Sequence, residues 1–547
     1  YASNGNIGKV TITGGNVYAQ SAIGTAIGGG SSANAGGGGT EVTITGGNVI
    51  AKSIAAESGQ NPGVIISGGA GIGGGSGCVS GSKENYHGGN AKIRISGNPV
   101  IRTGSIGGGI TNSPGGFIGS ADIEITGGDI QAQFIMAAGS NVVPVFKMNG
   151  GIIRDSDVDD PDYAHVRRNG GAVYMENGVF TMTSGLIKNC KADNGGAIYI
   201  KGDNLPEFIM NGGQIQNCIS TENGGAVYLE DGKITLSGGS ISKCTGKNGG
   251  GVYILKTSEI TPEYEMSGGN IDECAAEYDG GALYLEGGKV TLKSGDIIGN
   301  LTHSGNGGGI NIKAGDFHMI ENGTAVISGN SAQLKNGIGG NGGGLYISSA
   351  SSDVTVNILS GSITANAANM FGGGVAVDMS KSSTYKADVI VGTEGGSDEN
   401  PDSSLNEAGM MGGGLYVIGN KANVTINSGQ IIDNNTSAYV YNGDVANEMG
   451  MVTLNGGNVV SVTVTFHTNG ENATFSTEGT LETAEQKIVT STNSLLKQPA
   501  YIYRPGYKFI KWHTRKDGDD TRGKSYSEND VMNLSSSLDL YAQWQRL

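Results

Sequence analysis

A repeat of 25 to 31 residues constrains this chain more than any other feature. From Asn169 it reads "NGGAVYMENGVFTMTSGLIKNC", and from Asn194 "NGGAIYIKGDNLPEFIMNGGQIQNC". Asn223 opens "NGGAVYLEDGKITLSGGSISKC" and Asn248 opens "NGGGVYILKTSEITPEYEMSGGNIDEC". Within one unit, "AVYME", "VFTMTSG" and "LIKNC" alternate apolar and polar residues, with Gly or Asn between them. Alternation at period two marks a half-buried strand, and Gly/Asn punctuation marks where the chain turns. Three such strands cannot bury their inward side chains alone. Stacking the next unit on top does so, which predicts a parallel solenoid with coils about 4.8 Å apart.

The second-strand signature runs along most of the chain, as "VTITGGNV" at Val10 and Val42, "IRISGNPV" at Ile93 and "IEITGGDI" at Ile123. It returns as "FKMNGGII" at Phe146, "VTLKSGDI" at Val290, "VTINSGQI" at Val424 and "VTLNGGNV" at Val452. The expectation is an all-β fold: a right-handed parallel β-helix solenoid of roughly fifteen coils, with handedness taken from the general rule for parallel crossovers. Asn-Gly-Gly is the corner, where Gly accepts positive φ and Asn can pair with its copies above and below. Val173, Ile198, Val227, Val252 and Leu283 then form an inward stack. Residues 1–140 carry longer glycine-rich corners and uneven spacing, and read as an irregular version of the same coils, a cap or a subdomain. Residues 141–460 are the regular β-helix, and 461–547 a separate small module.

Composition agrees. Glycine fills 100 of 547 positions without a Gly-X-Y period, so collagen is excluded. Net charge is −16, which disfavours nucleic acid and anionic membranes as partners. No run of 18 apolar residues exists, so membrane insertion is not expected. Tyr1 reads as the start of a mature or trimmed fragment.

The five cysteines contain no CxxC. Cys190, Cys218, Cys244 and Cys274 end the third strand of consecutive coils, which makes a column of buried thiols the expectation. Parallel Cβ vectors make poor disulfides there.

Past Val459 the glycine period stops. Phe466, Asn469–Gly470, Arg504, Gly506, Tyr507, Phe509, Trp512 and the terminal Leu540-Tyr541-Ala542-x-Trp544 resemble the Listeria–Bacteroides (internalin B-type) repeat over about 462–545. Glu471 departs from the family's usual second glycine. The resemblance implies a β-grasp-like module and a secreted or cell-wall-attached bacterial protein, a monomer within a larger multidomain surface protein. The coils resemble two groups: autotransporter-like adhesins with GGA repeats, and pectate-lyase-like β-helices that include glycoside hydrolases such as the lacto-N-biosidase family of gut bacteria. This likeness is architectural and transfers no residue roles.

Several residues are candidates for chemistry. Tyr174, Tyr199, Tyr228, Tyr253 and Tyr284 form an outward column, either a self-stacking ladder or a platform for sugar rings. Glu176, Glu230 and Glu286 lie two residues further along. Asp279 breaks the Asn-Gly-Gly corner, and with Asp272 it offers the carboxylate pair that glycoside hydrolysis requires. His303 falls in a longer inter-coil segment, a weaker candidate for contacting substrate. Asp155, Asp157 and Asp159 alternate as in a calcium loop, although no EF-hand pattern follows, so Ca²⁺ is an optional ligand and no cofactor is required. Insertions at 256–264, 301–306, 314–340 and 392–410 could wall a cleft. The leading expectation is a secreted glycoside hydrolase of complex mucin, milk-type or plant oligosaccharides, with Asp272 and Asp279 as the pair and Tyr228, Tyr253, Tyr284, Glu230 and Glu286 binding substrate. The alternative is a non-catalytic adhesin or glycan-binding stalk.

Overall fold

Inward-facing Val, Ile and Phe at every second position leave the chain one way to bury them, and it winds accordingly. The computed structural model describes the chain except residues 1–7, 22–24, 30–37, most of 54–88, 109–118, 137–142, 158–167, 437–443, 496–500 and shorter gaps. The described residues divide into two compact units, one of 1–277 with 281–291, the other of 278–280 with 292–547.

In the first unit the coils have three long faces, all paired in parallel. On the first face Val173, Ile198, Val227, Val252 and Leu283 are in register. Phe180, Phe208, Ile234 and Tyr264 align on the second, and Ile187, Ile215, Ile241 and Ile271 on the third. Nearly all of these side chains have exposures of 0–1%, so each coil's apolar surface is covered by its neighbours. The stretch before residue 141 belongs to the same solenoid: Val42, Ile93, Ile123, Phe146 and Phe180 make one continuous second-face column. Outside, charges alternate along that face, with Lys9–Glu41 at 4.0 Å, Lys92–Glu41 at 3.9 Å and Lys233–Glu207 at 3.8 Å. Such exposed pairs add little stability but penalise a shifted register.

A fourth, two-residue strand follows each cysteine, as in Lys191–Ala192, Ile219–Ser220, Thr245–Gly246 and Ala275–Ala276. Alternation over three strands per unit does not predict it. The residue before each cysteine makes the bend, with positive φ at Asn189, Asn217, Lys243 and Glu273.

The second unit repeats the plan. Ile310, Leu345, Val375, Leu415 and Val445 align on its first face, and Phe317, Val356, Val389, Val424 and Val452 on its second. The expected cleft-walling segment 314–340 contributes coil strands at 314–319, 326–328 and 331–332, and adds a small antiparallel hairpin, Leu334–Lys335 with Ile338–Gly339. This unit ends in a C-terminal module. Its mixed sheet places Ser461–His467 between antiparallel Glu485–Ser491 and parallel Leu538–Arg546, with Tyr507–His513 beyond. Among the described residues no helix is long and apolar enough to cross a membrane.

Candidate functional site

Alternation on the first face puts Val227 inward and Tyr228 outward, yet Tyr228 is only 7% exposed. Two things cover the tyrosines. Coil spacing suits offset ring stacking, so Tyr174, Tyr199, Tyr228, Tyr253 and Tyr284 stack in parallel, with centroids 5.0–5.4 Å apart and interplanar angles of 3–18°. The Asn-Gly-Gly corner then presses against the strand: a Cβ at Gly224 (φ +67) would lie 2.4 Å from Val227 O and 3.1 Å from Tyr228 Cα. Only glycine permits that approach. The column exists as read, but the tyrosine faces are occupied by one another and offer no platform to a sugar ring.

The hydroxyls meet the glutamates. Tyr174 donates to Glu176 and Tyr253 to Glu286, and Tyr199 donates to Glu230 Oε2 at 2.9 Å. Glu230, 6% exposed, also accepts from Lys201 Nζ at 2.7 Å. Thr257 Oγ1 lies 3.0 Å from Glu230 and 2.7 Å from Asp231. Desolvation first, and the neighbouring carboxylates second, push the Tyr199, Tyr228 and Tyr253 phenols well above their ordinary range. They stay protonated, and Tyr199 and Tyr253 serve as donors. Of the residues expected to contact substrate, the structure brings Tyr228, Tyr253, Tyr284, Glu230 and Glu286 onto one strip.

The remaining candidates lie elsewhere. Asp272 and Asp279 fall in different compact units, and each is engaged within its own. Asp272 is on the third face in register with Ser242 and accepts from Asn270. Burial, then adjacent Glu273, raises its carboxyl. Asp279 Oδ1 accepts the Asn306 backbone N–H at 2.7 Å, just as Asn306 Oδ1 accepts the Asn341 N–H at 3.1 Å. Asp279 therefore fills an asparagine's place in a corner ladder, and burial raises its carboxyl too. His303 is exposed in the loop after Leu301–Thr302.

The calcium expectation is not met by the residues described. Arg154 pairs with Asp155, Asn189 donates to Asp155 at 3.0 Å, and Lys191 reaches Asp157 at 3.4 Å. These carboxylates already have partners, and Asp159 lies outside the described residues. Among the described residues no group of three or more His, Cys, Asp or Glu is placed to hold a metal. Cys190, Cys218, Cys244 and Cys274 are buried thiols joined by no disulfide, as expected; Cys78 lies outside the described residues. A void of about 20 Å³ inside the second unit is lined mainly by apolar groups such as Ile358, Ile363, Val389 and Leu415, and is core rather than cleft.

Residues 463–543 match the family model of the Listeria–Bacteroides repeat domain. No curated protein and no solved structure matches the chain. The repeat domain's signature residues turn out to be its core. Phe466, Ile502, Trp512, Leu540 and Ala542 are buried together, with Phe509 and Trp544 against them. Asn469, at φ 47, donates to Ala542 O at 2.9 Å and Lys516 O at 3.0 Å. Trp544 Nε1 donates to Thr468 O at 2.8 Å, and Arg504 lies over the Tyr507 ring at 3.8 Å. Gly470 lies outside the described residues.

Proposed function

We propose that this chain is a non-catalytic, β-helical spacer of a bacterial cell-surface protein, carried outside the cell alongside its Listeria–Bacteroides repeat domain. The observation that supports this reading best is the closed tyrosine–glutamate strip. Its ring faces stack on one another and its central carboxylate, Glu230, is buried and bonded to Tyr199 and Lys201. Groups that could do chemistry are used instead to tie coil to coil.

A second reading, a glycoside hydrolase acting on mucin, milk-type or plant oligosaccharides, draws on Glu230 and Glu286. They occupy one column with Leu255 between them, so their Cα atoms are about 10 Å apart at the usual strand spacing. Inverting enzymes hold their carboxyls about 6.5–9.5 Å apart. The full chain incubated with released mucin, milk and plant glycans, read by mass spectrometry, separates the two. A spacer leaves every glycan intact. Turnover that disappears in Glu230→Gln or Glu286→Gln would replace the spacer with the hydrolase. A glycan array run on the same protein distinguishes a bare stalk from an adhesin.

A further inference from the structure

A solenoid must end, and its last coil is where the fold is most exposed to error. In the second unit the final strands are Val445–Glu448, Met451–Leu454 and Asn458–Val459. Each pairs on one side only, with Leu415–Ile418, Ala422–Ile426 and Gln430–Ile432 respectively, and no further strand pairs with them among the described residues. An unpaired row of backbone groups beside an apolar interior invites pairing with another chain. Repeat proteins therefore need a polar cap on the terminal repeat.

Two observations say that this end is covered. The inward residues of the terminal first-face strand are shielded although no coil follows: Val445 is 0% exposed and Asn447 is 6% exposed. Strand Glu485–Ser491, the outer strand of the repeat domain's sheet, lies against both Val445–Glu448 and Met451–Leu454. The last coil is also chemically prepared. Where earlier coils of this unit put Ile312, Ile347, Val377 and Val417 inward, the terminal coil puts Asn447. Its side chain accepts the Gly450 N–H at 3.0 Å and donates to Gly450 O at 3.0 Å, which closes the polar end locally.

We infer that the repeat domain is the C-terminal cap of the solenoid, docked through strand Glu485–Ser491 onto the last coil. The partner this sheet edge fits is the chain's own final coil, and the junction is a rigid joint rather than a swinging linker. The domain thus has a folding role within this chain besides any place it takes among surface modules.

Hydrogen exchange on the full chain, read by mass spectrometry, tests this. A docked cap predicts that amides of 445–448 and 451–454 exchange slowly, at rates comparable to those of 415–418. Ile488→Pro, which interrupts the docking strand, should speed exchange at 445–454 about tenfold or more while 415–418 is unchanged. Amides of 507–513 report whether the domain itself still folds in that variant. If 445–454 keeps its protection while 485–491 or the whole domain is open, the cap is overturned. Fast exchange at 445–454 in the unmodified chain, with 507–513 protected, overturns it as well.

Discussion

The two units fill one corner of the coil with different chemistry. In the first, Cys190, Cys218, Cys244 and Cys274 follow an inward isoleucine by three residues; in the second, Asn330, Asn366, Asn406 and Asn434 hold the equivalent place. The thiols are dry and weakly bonded, with Cys218 Sγ to Gln216 O at 3.5 Å and Cys244 Sγ to Ser242 O at 3.3 Å. The amides form a satisfied ladder. Asn330 Nδ2 donates to Asn366 Oδ1 at 3.0 Å, Asn366 to Asn406 at 3.1 Å and Asn406 to Asn434 at 2.9 Å. Each Oδ1 also takes a backbone N–H from the coil before, as Asn366 does from Asn330 at 3.0 Å. Buried polar groups are tolerated only when satisfied, and exact repetition satisfies each amide with its own copy. A small apolar plug asks less of its neighbours and gives less back.

The largest expected difference is a response to alkali. Contact with Cys218 and then burial raise the Cys190 thiol, and burial foremost raises Cys218 and Cys244. The folded unit therefore holds protons that the unfolded chain sheds above about pH 8.5. Stability from these thiols is fully present below that pH and falls above it, by about 4 kcal/mol per pH unit for the three together. Asparagine does not titrate. Pulse proteolysis in urea between pH 8 and 10, with fragments assigned by mass, should show the first unit weakening and the second holding. Equal loss in both would show that the thiols do not set the difference.

Removing one amide should rank next. Asn366→Ala strands the Asn330 N–H and the Ile327 carbonyl, which Asn366 Nδ2 now reaches at 2.9 Å. With buried groups at about 1–3 kcal/mol each, a loss of about 4 kcal/mol is expected in the second unit. Cys218→Ala removes one weakly bonded sulfur and should cost about 1–2 kcal/mol in the first. Local opening energies from native-state exchange check both.

How far this contrast is legible in the sequence depends on the residue. The coil is legible because period-two alternation has no other good solution, and the repeat domain because its motif residues are its core. The cysteine column is plain because cysteine is rare. The asparagine column is written just as regularly, as Ile327-x-x-Asn330 and Ile363-x-x-Asn366, but an asparagine between two short strands reads as an ordinary turn. Burial of Tyr228 is not legible, since alternation says outward and outward normally means wet. Stacking at coil spacing and a glycine corner folded over the strand reverse that. Asp279 looks like a broken pattern by residue type, but its Oδ1 accepts the same backbone N–H that an asparagine would.

A glycine keeps step with the amide and gives a sharper comparison. The coils of Asn330, Asn366, Asn406 and Asn434 read Gly-Gly-Gly, with Gly309, Gly344, Gly374 and Gly414 third. Those of Cys190, Cys218 and Cys244 carry Ala172, Ala197 and Ala226 there; Gly251, in the Cys274 coil, is the exception. A Cβ on Gly344 would lie 2.6 Å from Gly374 O, 2.9 Å from Ile363 Cγ2 and 3.1 Å from Asn366 Nδ2. On Gly251 it would meet Ala282 O at 2.7 Å and Ile271 Cγ2 at 2.9 Å. The two environments match except for the amide. Gly344→Ala should therefore be the more destabilising, by about 1–2 kcal/mol, and the gap should close in an Asn366→Ala background. A gap that persists there would assign the glycine to backbone crowding alone.

The smallest effect concerns the bend that both columns share. The residue before the plug has positive φ in both units: Lys243 (54°) and Glu273 (52°) in the first, Gly329 (65°), Ala365 (55°) and Leu405 (57°) in the second. For a residue with a Cβ this conformation costs about 1–2 kcal/mol, and Leu405 is 65% exposed, so no packing offsets it. Glycine removes the strain but loosens the unfolded chain by up to about 1 kcal/mol. Leu405→Gly should then stabilise its unit by about 0.5–1 kcal/mol, and Glu273→Gly should do so less, since Glu273 also meets Lys243 at 3.7 Å. If both substitutions destabilise, the bend is held by the side chain rather than suffered by it, and the two units would share more than a backbone path.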